Sequence, residues 1–481
     1  MEFIKKIKIL LVLLLFGMVV YVAPLSVENL APTKPLMPWQ QFFLACAARL
    51  GQRDGQKAED SKKVETAAAE FPAAGTDSSA DGSVIPRTIR VLLTHNQDGN
   101  PMFGQMRISC NKSWQAGENT YKSDDVLTVD TELITGEYFR VSSEEKGAEF
   151  FLEYDGLQRR STRYRGRLLF YPAADGFYVV NELSLETYVA YAVPGEMPAS
   201  YPPEALKAQA VCSRTYAVKN AGSLEDYHAD VDDSVSWQVY NGQAPDKRAT
   251  EAVKATEGEI LLWKGKPAEI YFFSTSCGLT SRKDIWNPEV EESCLKAVYV
   301  GTEGSLPESE EAFEAYIQAD DENAWEHDMP WFRWRMTMPL SRLQELSDQK
   351  KSGLGAVLSL AVTSRSSGWA ATELTVTCEK GSYVVYSEYA IRNFLSPEGC
   401  KLKNKKGRAP STKILPSGYF VLQPYYDDGG ALAGYRIRGG GLGHGAGLSQ
   451  NGAKVMAEQG MDYKNILELF YQDVVLANGE G

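Results

Sequence analysis

The stretch that decides the fold spans residues 180–220 and reads VNELSLETYVAYAVPGEMPASYPPEALKAQAVCSRTYAVKN. It predicts the end of a strand and then a helical block from Leu185 to about Asn220, in which Pro203 suits the first turn of the helix that follows Glu196. Upstream, strand-like segments such as residues 89–94 dominate to about Val180. Because strands and helices are segregated rather than alternating, the sequence predicts an α+β fold, with both kinds of element around a substrate groove.

Two cations interrupt the otherwise small and apolar surface of the second helix. A helix that is apolar on most sides belongs in a core. Lys207 and Arg214 are seven residues apart, which is about two helical turns, so both project from one stripe. Buried cations need an anionic partner or a substrate. Because Glu196 lies one loop upstream, the pattern predicts that the three side chains are neighbours.

Glu196 is the candidate catalytic acid. It lies within the sequence Pro-Gly-Glu-Met-Pro at residues 194–198, which favours a rigid and partly apolar pocket. Desolvation in such a pocket raises the pKa of a carboxyl group. A glutamic acid that stays protonated near neutral pH can donate a proton to a glycosidic oxygen. A structural role, in which Glu196 caps the following helix or pairs with Arg214, fits the same residues.

The second half of the chain mixes short strands, turns and helices. Residues 260–263 and 270–273 are predicted to form a hairpin. Residues 302–330 are acidic and helix-prone. They predict a solvated insertion, because the Asp-rich loop of a calcium site is missing from them. Other segments with a clear pattern are a helix at 247–257, strands and turns over 331–438, and a closing helix pair at 449–459 and 462–471.

The N-terminus indicates export. Three lysines precede an apolar run over residues 9–25, which is at the short end of what spans a bilayer. The run does not end in a clean pair of small residues, so we favour an uncleaved anchor over a cleaved secretion signal. Residues 1–25 would then form a cytoplasmic tip and transmembrane helix, residues 26–86 a juxtamembrane segment and flexible stalk, and residues 87–481 the catalytic region outside the cytoplasm.

The net charge and the cysteine spacing exclude several classes of partner and of site. The formal net charge is −13, so no basic field favours nucleic acid or an anionic membrane surface. The seven cysteines are scattered without a C-x-x-C pair, which argues against a disulfide scaffold or a thiolate zinc site. In an exported protein an odd number leaves at least one thiol without an intramolecular partner, and the pairing stays open.

Residues 180–220 closely resemble the core motif of the stage II sporulation protein D family, lytic transglycosylases of the bacterial cell wall. Similar motifs follow in the same order: WQVYNG at 237–242, ATEGEIL at 255–261, YFFSTSCGLTSRKDIW at 271–286 and GGLGHGAGLSQNGAKVMAEQGMDYKNILELFY at 440–471. The resemblance covers about residue 88 to the C-terminus. It implies that Glu196 is the catalytic acid and that Lys207 and Arg214 bind substrate.

The same resemblance implies a substrate and partners. Glu196 would cleave the bond between N-acetylmuramic acid and N-acetylglucosamine in peptidoglycan glycan strands, already denuded of stem peptides, and leave 1,6-anhydro ends without any cofactor. The setting would be the septal space during spore engulfment, with a cell-wall amidase and membrane proteins as partners. One alternative is a non-catalytic relative similar to the amidase enhancers. Another is a hydrolase, for which Asp233 and Asp284 are conceivable second carboxylates.

Further candidates lie in the later motifs. Tyr271, Ser274 and Ser276 are expected to line the sugar groove, with strand-end capping as the alternative. His444 lies among glycines that permit close backbone approach, where it would either donate to a substrate hydroxyl or brace the turn. Some relatives bind zinc just before the motif matched by WQVY. Here only His228 is a usual ligand, with Asp232, Ser236 and Trp237 at the other positions, so no metal is predicted.

Overall fold

The structure is a computed structural model that describes residues 86–94, 100–154, 163–234, 237–240, 242, 245–290, 292–410 and 412–478. The predicted transmembrane helix and stalk lie outside these ranges. Within them, the helices are all too short or too polar to cross a bilayer. The mixed α+β architecture predicted from the sequence is confirmed for the described part of the chain.

Eight α-helices are described. They are α1 Leu185–Glu196, α2 Pro203–Lys219, α3 Lys247–Ala255, α4 Glu310–Gln318, α5 Leu340–Lys350, α6 Glu388–Phe394, α7 Gln450–Glu458 and α8 Tyr463–Phe470. Several helices begin after an N-cap residue whose side chain accepts a hydrogen bond from a backbone N–H of the first turn. Examples are Ser184 before α1, Ser449 before α7 and Asp462 before α8.

The described strands are mostly short. In the first half of the chain they are β1 Thr88–Leu93, β2 Gln105–Cys110, β3 Trp114–Ala116, β4 Asn119–Tyr121, β5 Val126–Asp130, β6 Phe139–Ser142, β7 Phe150–Glu153, β8 Arg167–Ala173, β9 Gly176–Ser184, β10 Val231–Asp232, β11 Glu259–Trp263, β12 Lys266–Pro267 and β13 Phe272–Phe273. In the second half they are β14 Trp334–Pro339, β15 Val357–Arg365, β16 Ala371–Cys378, β17 Gly381–Tyr386, β18 Lys403–Asn404, β19 Gly407–Arg408, β20 Phe420–Tyr426, β21 Leu432–Gly439, β22 Leu448–Ser449 and β23 Val474–Asn478.

A seven-stranded sheet and the central helix α2 organise the first hydrophobic core. The sheet has the order β10-β1-β9-β8-β6-β3-β4, and β9 leads directly into α1. Helix α2 packs against α1, α3, α7, α8 and β11, so its small residues Ala205, Ala208 and Ala210 are fully buried. Helix α2 has almost no polar face because other elements pack against most of its sides.

A second hydrophobic core lies between residues 334 and 437. It is built on a five-stranded sheet of order β19-β18-β14-β21-β20 and a three-stranded sheet β15-β16-β17, with α5 and α6. The prediction of strands and turns alone over 331–438 is wrong, because these two helices interrupt them. Leu340, Leu343 and Leu346 recur at three-residue intervals in α5, and this helical period buries Leu343 and Leu346 against the sheets.

The predicted hairpin of residues 260–263 with 270–273 is also wrong. Strand β11 pairs with the short β12 on one side and with β23 on the other. The second apolar run instead forms β13, which pairs in parallel with β22 near the C-terminus. Gly447 permits this pairing: its φ is +75°, and a Cβ there would lie 2.0 Å from the carbonyl oxygen of Tyr271.

The acidic insertion is only partly solvated. The acidic first turn of α4 is exposed, while Phe313 and Ile317 face the core. Glu326 near the end of the insertion is 0% exposed. The prediction of a solvated insertion is therefore wrong at Glu326, whose surroundings are described below.

Candidate active site

Glu196 is the last residue of α1, at the point where the chain leaves the helix. Met197 is extended and buried, and its N–H still bonds to the carbonyl of Val193. The preceding Gly195 lies directly under Val239: a Cβ on Gly195 would come within 2.8 Å of the Val239 Cγ1 and 2.9 Å of its carbonyl oxygen. The contact requires glycine, and it brings the segment 237–240 against the carboxylate.

The two carboxylate oxygens of Glu196 have different surroundings. Oε1 accepts a hydrogen bond from the backbone N–H of Val239 at 2.7 Å. In the part of the chain that the structure describes, Oε2 has no hydrogen-bond donor, and it is not sealed from solvent. Burial raises the pKa of Glu196 above its ordinary value, and the Val239 hydrogen bond only partly opposes this shift. The group is thus an oriented carboxylic acid with one accessible oxygen.

The backbone of Glu196 is tied to α7 and α2 by one glutamine. The Nε2 of Gln450 donates to the Glu196 carbonyl at 3.0 Å and to Oε1 of Gln209 at 3.3 Å. Gln450 is the first residue of α7, and Gln209 is a buried residue of α2. The loop after α1 is therefore fixed by three helices rather than by its own sequence alone.

Two tyrosines, Tyr188 and Tyr216, lie within electrostatic reach of both Glu196 and Asp232. Burial and then the carboxylates of Glu196 and Asp232 raise the pKa of Tyr216 to about 12. Burial likewise raises the pKa of Tyr188 well above its ordinary value, with smaller contributions from the same carboxylates. Asp232 is itself buried, which raises its pKa, and it accepts a hydrogen bond from the Ser234 N–H at 2.7 Å. Tyr216 is only partly buried.

Arg214 does not accompany Glu196, contrary to the prediction. Its side chain is 0% exposed, and its Nε and Nη2 donate to the two carboxylate oxygens of Glu186, each at 2.7 Å. Nη1 and Nη2 also donate to the carbonyl oxygens of Glu259 and Val253. A guanidinium with these partners and no exposed surface does not reach a substrate, so the expected substrate-binding role is corrected to one that holds α1, α2 and β11 together.

Lys207 has a different environment from Arg214. Its Nζ lies 2.6 Å from Oε1 of Glu204 and 5.7 Å from the ring centroid of Tyr463, and its side chain is 25% exposed. Its ion pair is with Glu204 instead of Glu196, so the predicted grouping of both helix cations around Glu196 is not found. Because the Lys207 side chain is partly exposed, binding of a substrate by Lys207 stays a prediction.

The three residues expected in the sugar groove separate in the structure. Ser276 is 1% exposed and donates its N–H and Oγ–H to the buried Glu326, so its predicted place in the groove is wrong. Ser274 is partly exposed, and its carbonyl accepts from Asn451. Tyr271 packs on Trp286 with ring centroids 4.5 Å apart and donates to Glu269 at 2.9 Å. For Ser274 and Tyr271 contact with a sugar stays a prediction.

His444 braces its own turn. Its Nε2 donates to the carbonyl of Phe272 at 3.0 Å, and its Nδ1 accepts from the N–H of Ala446 at 3.1 Å. Both ring nitrogens are occupied by backbone, which leaves only the ring face for a ligand. Burial and the nearby Arg392 lower the pKa of His444 to about 4, so the ring is neutral. Of the two alternatives for His444, the turn-bracing role fits these contacts, and donation to a substrate does not.

The conceivable second carboxylates of a hydrolase are used elsewhere. Asp233 is buried and accepts from the N–H and Oγ of Thr94 at 2.9 and 2.6 Å. Asp284 accepts from the N–H of Ser367 at 2.6 Å and from its Oγ. Both carboxylates hold loops in place, and neither lies in contact with Glu196.

The residues at the zinc position of some relatives do not fit a metal here. The Nδ1 of His228 bonds to the Tyr178 hydroxyl at 2.8 Å, and its ring stacks on Tyr171 at 4.4 Å. Trp237 has no ligand atom for zinc, and Ser236 lies outside the described residues. In the described ranges, His, Cys, Asp and Glu residues do not form a group of three that could hold a metal ion.

The described cysteines are all free thiols. Cys110, Cys212, Cys277, Cys294 and Cys378 are buried. Burial raises the pKa of the Cys212 and Cys277 thiols to about 12, which makes them poor nucleophiles. Cys400 is partly buried, and Cys46 lies outside the described residues.

Sequence reasoning found Glu196 but missed the groups that hold and surround it. Val239, Gln450 and Tyr216 were not singled out, although all three lie within the motifs quoted above. In space, the motif at 180–220 meets the motif at 237–242 through the Val239 N–H, and it meets the motif at 440–471 through Gln450. A search for polar residues shared among those motifs could have selected Gln450. The hydrogen bond from the Val239 N–H could not be predicted from the sequence, because nearly every residue type carries a backbone N–H.

Comparisons with known proteins match two regions of the chain. Residues 173–263, which include Glu196, α1 and α2, match the family model described as stage II sporulation protein. Residues 280–447 match the model of a domain of unknown function. The second match contains the acidic insertion and the second hydrophobic core.

Relatives align over larger parts of the chain. An uncharacterised protein of Brachyspira hyodysenteriae is 29% identical over 76% of this chain and 88% of its own length. The stage II sporulation protein D of Bacillus amyloliquefaciens is 28% identical over 63% of this chain and 76% of its own length. An amidase enhancer of Bacillus subtilis is 25% identical over 60% of this chain, which spans only 40% of that protein. The stage II sporulation protein model thus lies on the helices that carry Glu196, and over the aligned parts the chain is similar to stage II sporulation protein D.

Proposed function

We propose that the protein is a peptidoglycan lytic transglycosylase that cleaves the bond between N-acetylmuramic acid and N-acetylglucosamine. The observation that carries this proposal is the state of Glu196. One oxygen is held by the Val239 N–H, the other is accessible, and burial raises the pKa of the group. A general acid needs a proton near neutral pH and a free oxygen from which to donate it.

The proposed reaction uses this one carboxyl group twice. The protonated Glu196 donates its proton to the glycosidic oxygen, the bond from that oxygen to C1 of N-acetylmuramic acid breaks, and N-acetylglucosamine leaves with a hydroxyl group. The Glu196 carboxylate then accepts the proton of the 6-hydroxyl of the same N-acetylmuramic acid residue, while the oxygen of that 6-hydroxyl attacks C1. The product carries a 1,6-anhydro ring, the acid is regenerated and no water is consumed.

The surroundings of Glu196 favour this cycle over hydrolysis. Glycoside hydrolases commonly place a second carboxylate across the scissile bond. Asp233 and Asp284 are committed to Thr94 and Ser367. Asp232 is within electrostatic reach of the same tyrosines, but it is 1% exposed and bonded to Ser234. A mechanism that needs one carboxyl group therefore fits the described residues better.

A second candidate function is that of a non-catalytic protein that stimulates an amidase. The similarity to the amidase enhancer of Bacillus subtilis favours it. The raised pKa and accessible oxygen of Glu196 favour the enzyme, because a protein that only binds the wall has no need for a protonated carboxyl group.

The names of relatives and the apolar N-terminal run support a proposal for the setting. Names of relatives connect the family with sporulation. We propose that the chain acts on denuded glycan during spore engulfment, together with an amidase that removes the stem peptides and with other membrane proteins of the engulfment machinery. The apolar residues 9–25 would hold the protein in the cell membrane, with the catalytic region in the septal space.

Mass analysis of the products formed from denuded glycan strands tests the proposal. Ends with a 1,6-anhydro ring are expected from the purified protein. Reducing ends would identify a hydrolase. Intact glycan, together with faster cleavage by an added cell-wall amidase, would identify an enhancer and overturn the proposal.

A further inference from the structure

The buried carboxylate of Glu326 lies where the acidic insertion meets the candidate active site. Its Oε1 accepts from the Ser276 N–H at 2.9 Å and from the Ser449 Oγ at 2.8 Å, and its Oε2 accepts from the Ser276 Oγ. The N–H of Gly452 donates to the Ser449 Oγ at 3.4 Å. In the described ranges, Glu326 forms no ion pair with a Lys, Arg or His side chain, so neutral donors alone surround this carboxylate.

The donors to Glu326 come from two places: Ser276 lies just after β13, and Ser449 ends β22. Ser449 is the N-cap of α7, and Gly452 lies in its first turn. A carboxylate at a helix N-terminus also interacts favourably with the unpaired N–H groups there. Glu326 therefore fixes the start of α7 against Ser276.

The next two residues of the same turn hold the loop that carries Glu196. Gln450 donates to the Glu196 carbonyl at 3.0 Å. Asn451 accepts from the Tyr201 hydroxyl at 2.6 Å and donates to the Ser274 carbonyl at 3.1 Å. The loop from Glu196 to Tyr201 is thus attached at both ends to two adjacent residues of α7.

We propose that Glu326 is a positioning residue of the active site: it fixes the first turn of α7, so that Gln450 and Asn451 hold the loop bearing Glu196. This gives the acidic insertion a role that its exposed charge does not suggest. Burial raises the pKa of Glu326 to about 7, and the hydrogen bonds from Ser276 and Ser449 only partly oppose this shift. As an aid to catalysis, the role rests on the proposed function.

Hydrogen exchange and kinetics of the full chain with Glu326→Gln test the proposal. The single oxygen of the amide cannot accept from all three donors in the present arrangement, so the first turn of α7 should loosen. Backbone exchange in residues 196–201 is expected to rise about tenfold, because local opening becomes easier. On denuded glycan, kcat should fall by roughly tenfold to a hundredfold with KM nearly unchanged, as for a misplaced catalytic group.

Matched variants separate positioning from general destabilisation. Glu149 is another buried carboxylate of the first core, paired with Arg165 at 2.9 Å, and Glu149→Gln should leave exchange in residues 196–201 and kcat unchanged. Gln450→Ala should reproduce the loss of kcat, and the double variant with Glu326→Gln should be no slower than the slower single variant. Additive losses would overturn the proposal.

Two further outcomes stay informative. If Glu326→Gln does not fold, Ser276→Ala removes a single donor to Glu326 and should raise exchange in residues 196–201 by a smaller factor. If the unaltered protein cleaves no glycan, the proposed function fails, whereas the exchange measurement still decides the positioning role. Unchanged exchange in residues 196–201 for both variants would overturn that role irrespective of the activity.

Discussion

Replacing Arg214 with alanine is expected to lower the free energy of unfolding far more than replacing Lys207. Arg214 is completely buried, makes two hydrogen bonds of 2.7 Å to Glu186 and donates to two backbone carbonyls at 3.0 and 3.3 Å. Removing one partner of a buried ion pair destabilises a protein by about 3–5 kcal/mol. Because the Glu186 side chain is 29% exposed, water can partly resolvate it, and the loss should lie near the lower limit, at about 3 kcal/mol.

Lys207 supplies the matched comparison on the same helix. Its ion pair with Glu204 at 2.6 Å is partly exposed on both sides, and such pairs contribute about 0–1 kcal/mol. Urea denaturation of residues 87–481 followed by circular dichroism measures both losses. Arg214→Lys should be intermediate, because an ammonium group keeps the charge but loses the bidentate geometry. A loss below about 1 kcal/mol for Arg214→Ala, or equal losses for the two alanine variants, would refute the assignment of Arg214 as a structural cation.

Three other predictions concern Gly195, Glu326 and His444. Gly195→Ala should destabilise the protein by about 1–3 kcal/mol through overpacking against Val239 and slow glycan cleavage, measured by urea denaturation and product release; an alanine variant as stable and active as the original would contradict the close contact. In the folded protein the pKa of Glu326 is about 7, above the ordinary value of 4.5. The contribution of Glu326 to the free energy of unfolding should therefore be largest below pH 4.5 and should fall by at most about 3 kcal/mol as the pH rises to 7. The effect is measured as the difference in unfolding free energy between the unaltered protein and Glu326→Gln over this pH range. Cys277 and Tyr201, which interact electrostatically with Glu326, ionise only at higher pH. A difference that stays constant over the range would refute the prediction. His444→Gln should lower stability without moving either limb of the pH profile of cleavage, because the ring is neutral above about pH 4; a shifted limb would show that His444 takes part in proton transfer.

The local parts of the fold could be predicted from the sequence because they depend on short-range patterns. The breaks around α1 and α2 follow from Pro203 and the Pro-Gly-Glu-Met-Pro turn, and the apolar run before Val180 marks β9. The partner of the 270–273 segment could not be predicted, because its pairing with β22 spans most of the second half of the chain. The apolar run at 260–263 lies nearby and suggested a hairpin, whereas in the folded protein the 270–273 segment pairs with β22, which follows the glycine-rich turn.

The same distinction applies to the site. Glu196 could be selected from its immediate neighbours, since the Pro-Gly-Glu-Met-Pro sequence indicates a partly apolar pocket. The partners of Lys207 and Arg214 could not, because a helical stripe gives the direction of a side chain without the identity of the opposing residue. Glu186 is 28 residues from Arg214 in the sequence, on the neighbouring helix α1, and the role of Glu326 depends on a contact with Ser449, which is 123 residues away.

The most direct test of the account is the rate at which Glu196→Gln cleaves denuded glycan compared with the unaltered protein. Glutamine keeps the size of the side chain and an oxygen that can accept from the Val239 N–H, so folding and glycan binding should persist. Loss of the transferable proton should lower the rate by at least about a hundredfold. A variant that still releases 1,6-anhydro products at the original rate would contradict the claim that Glu196 is the catalytic acid.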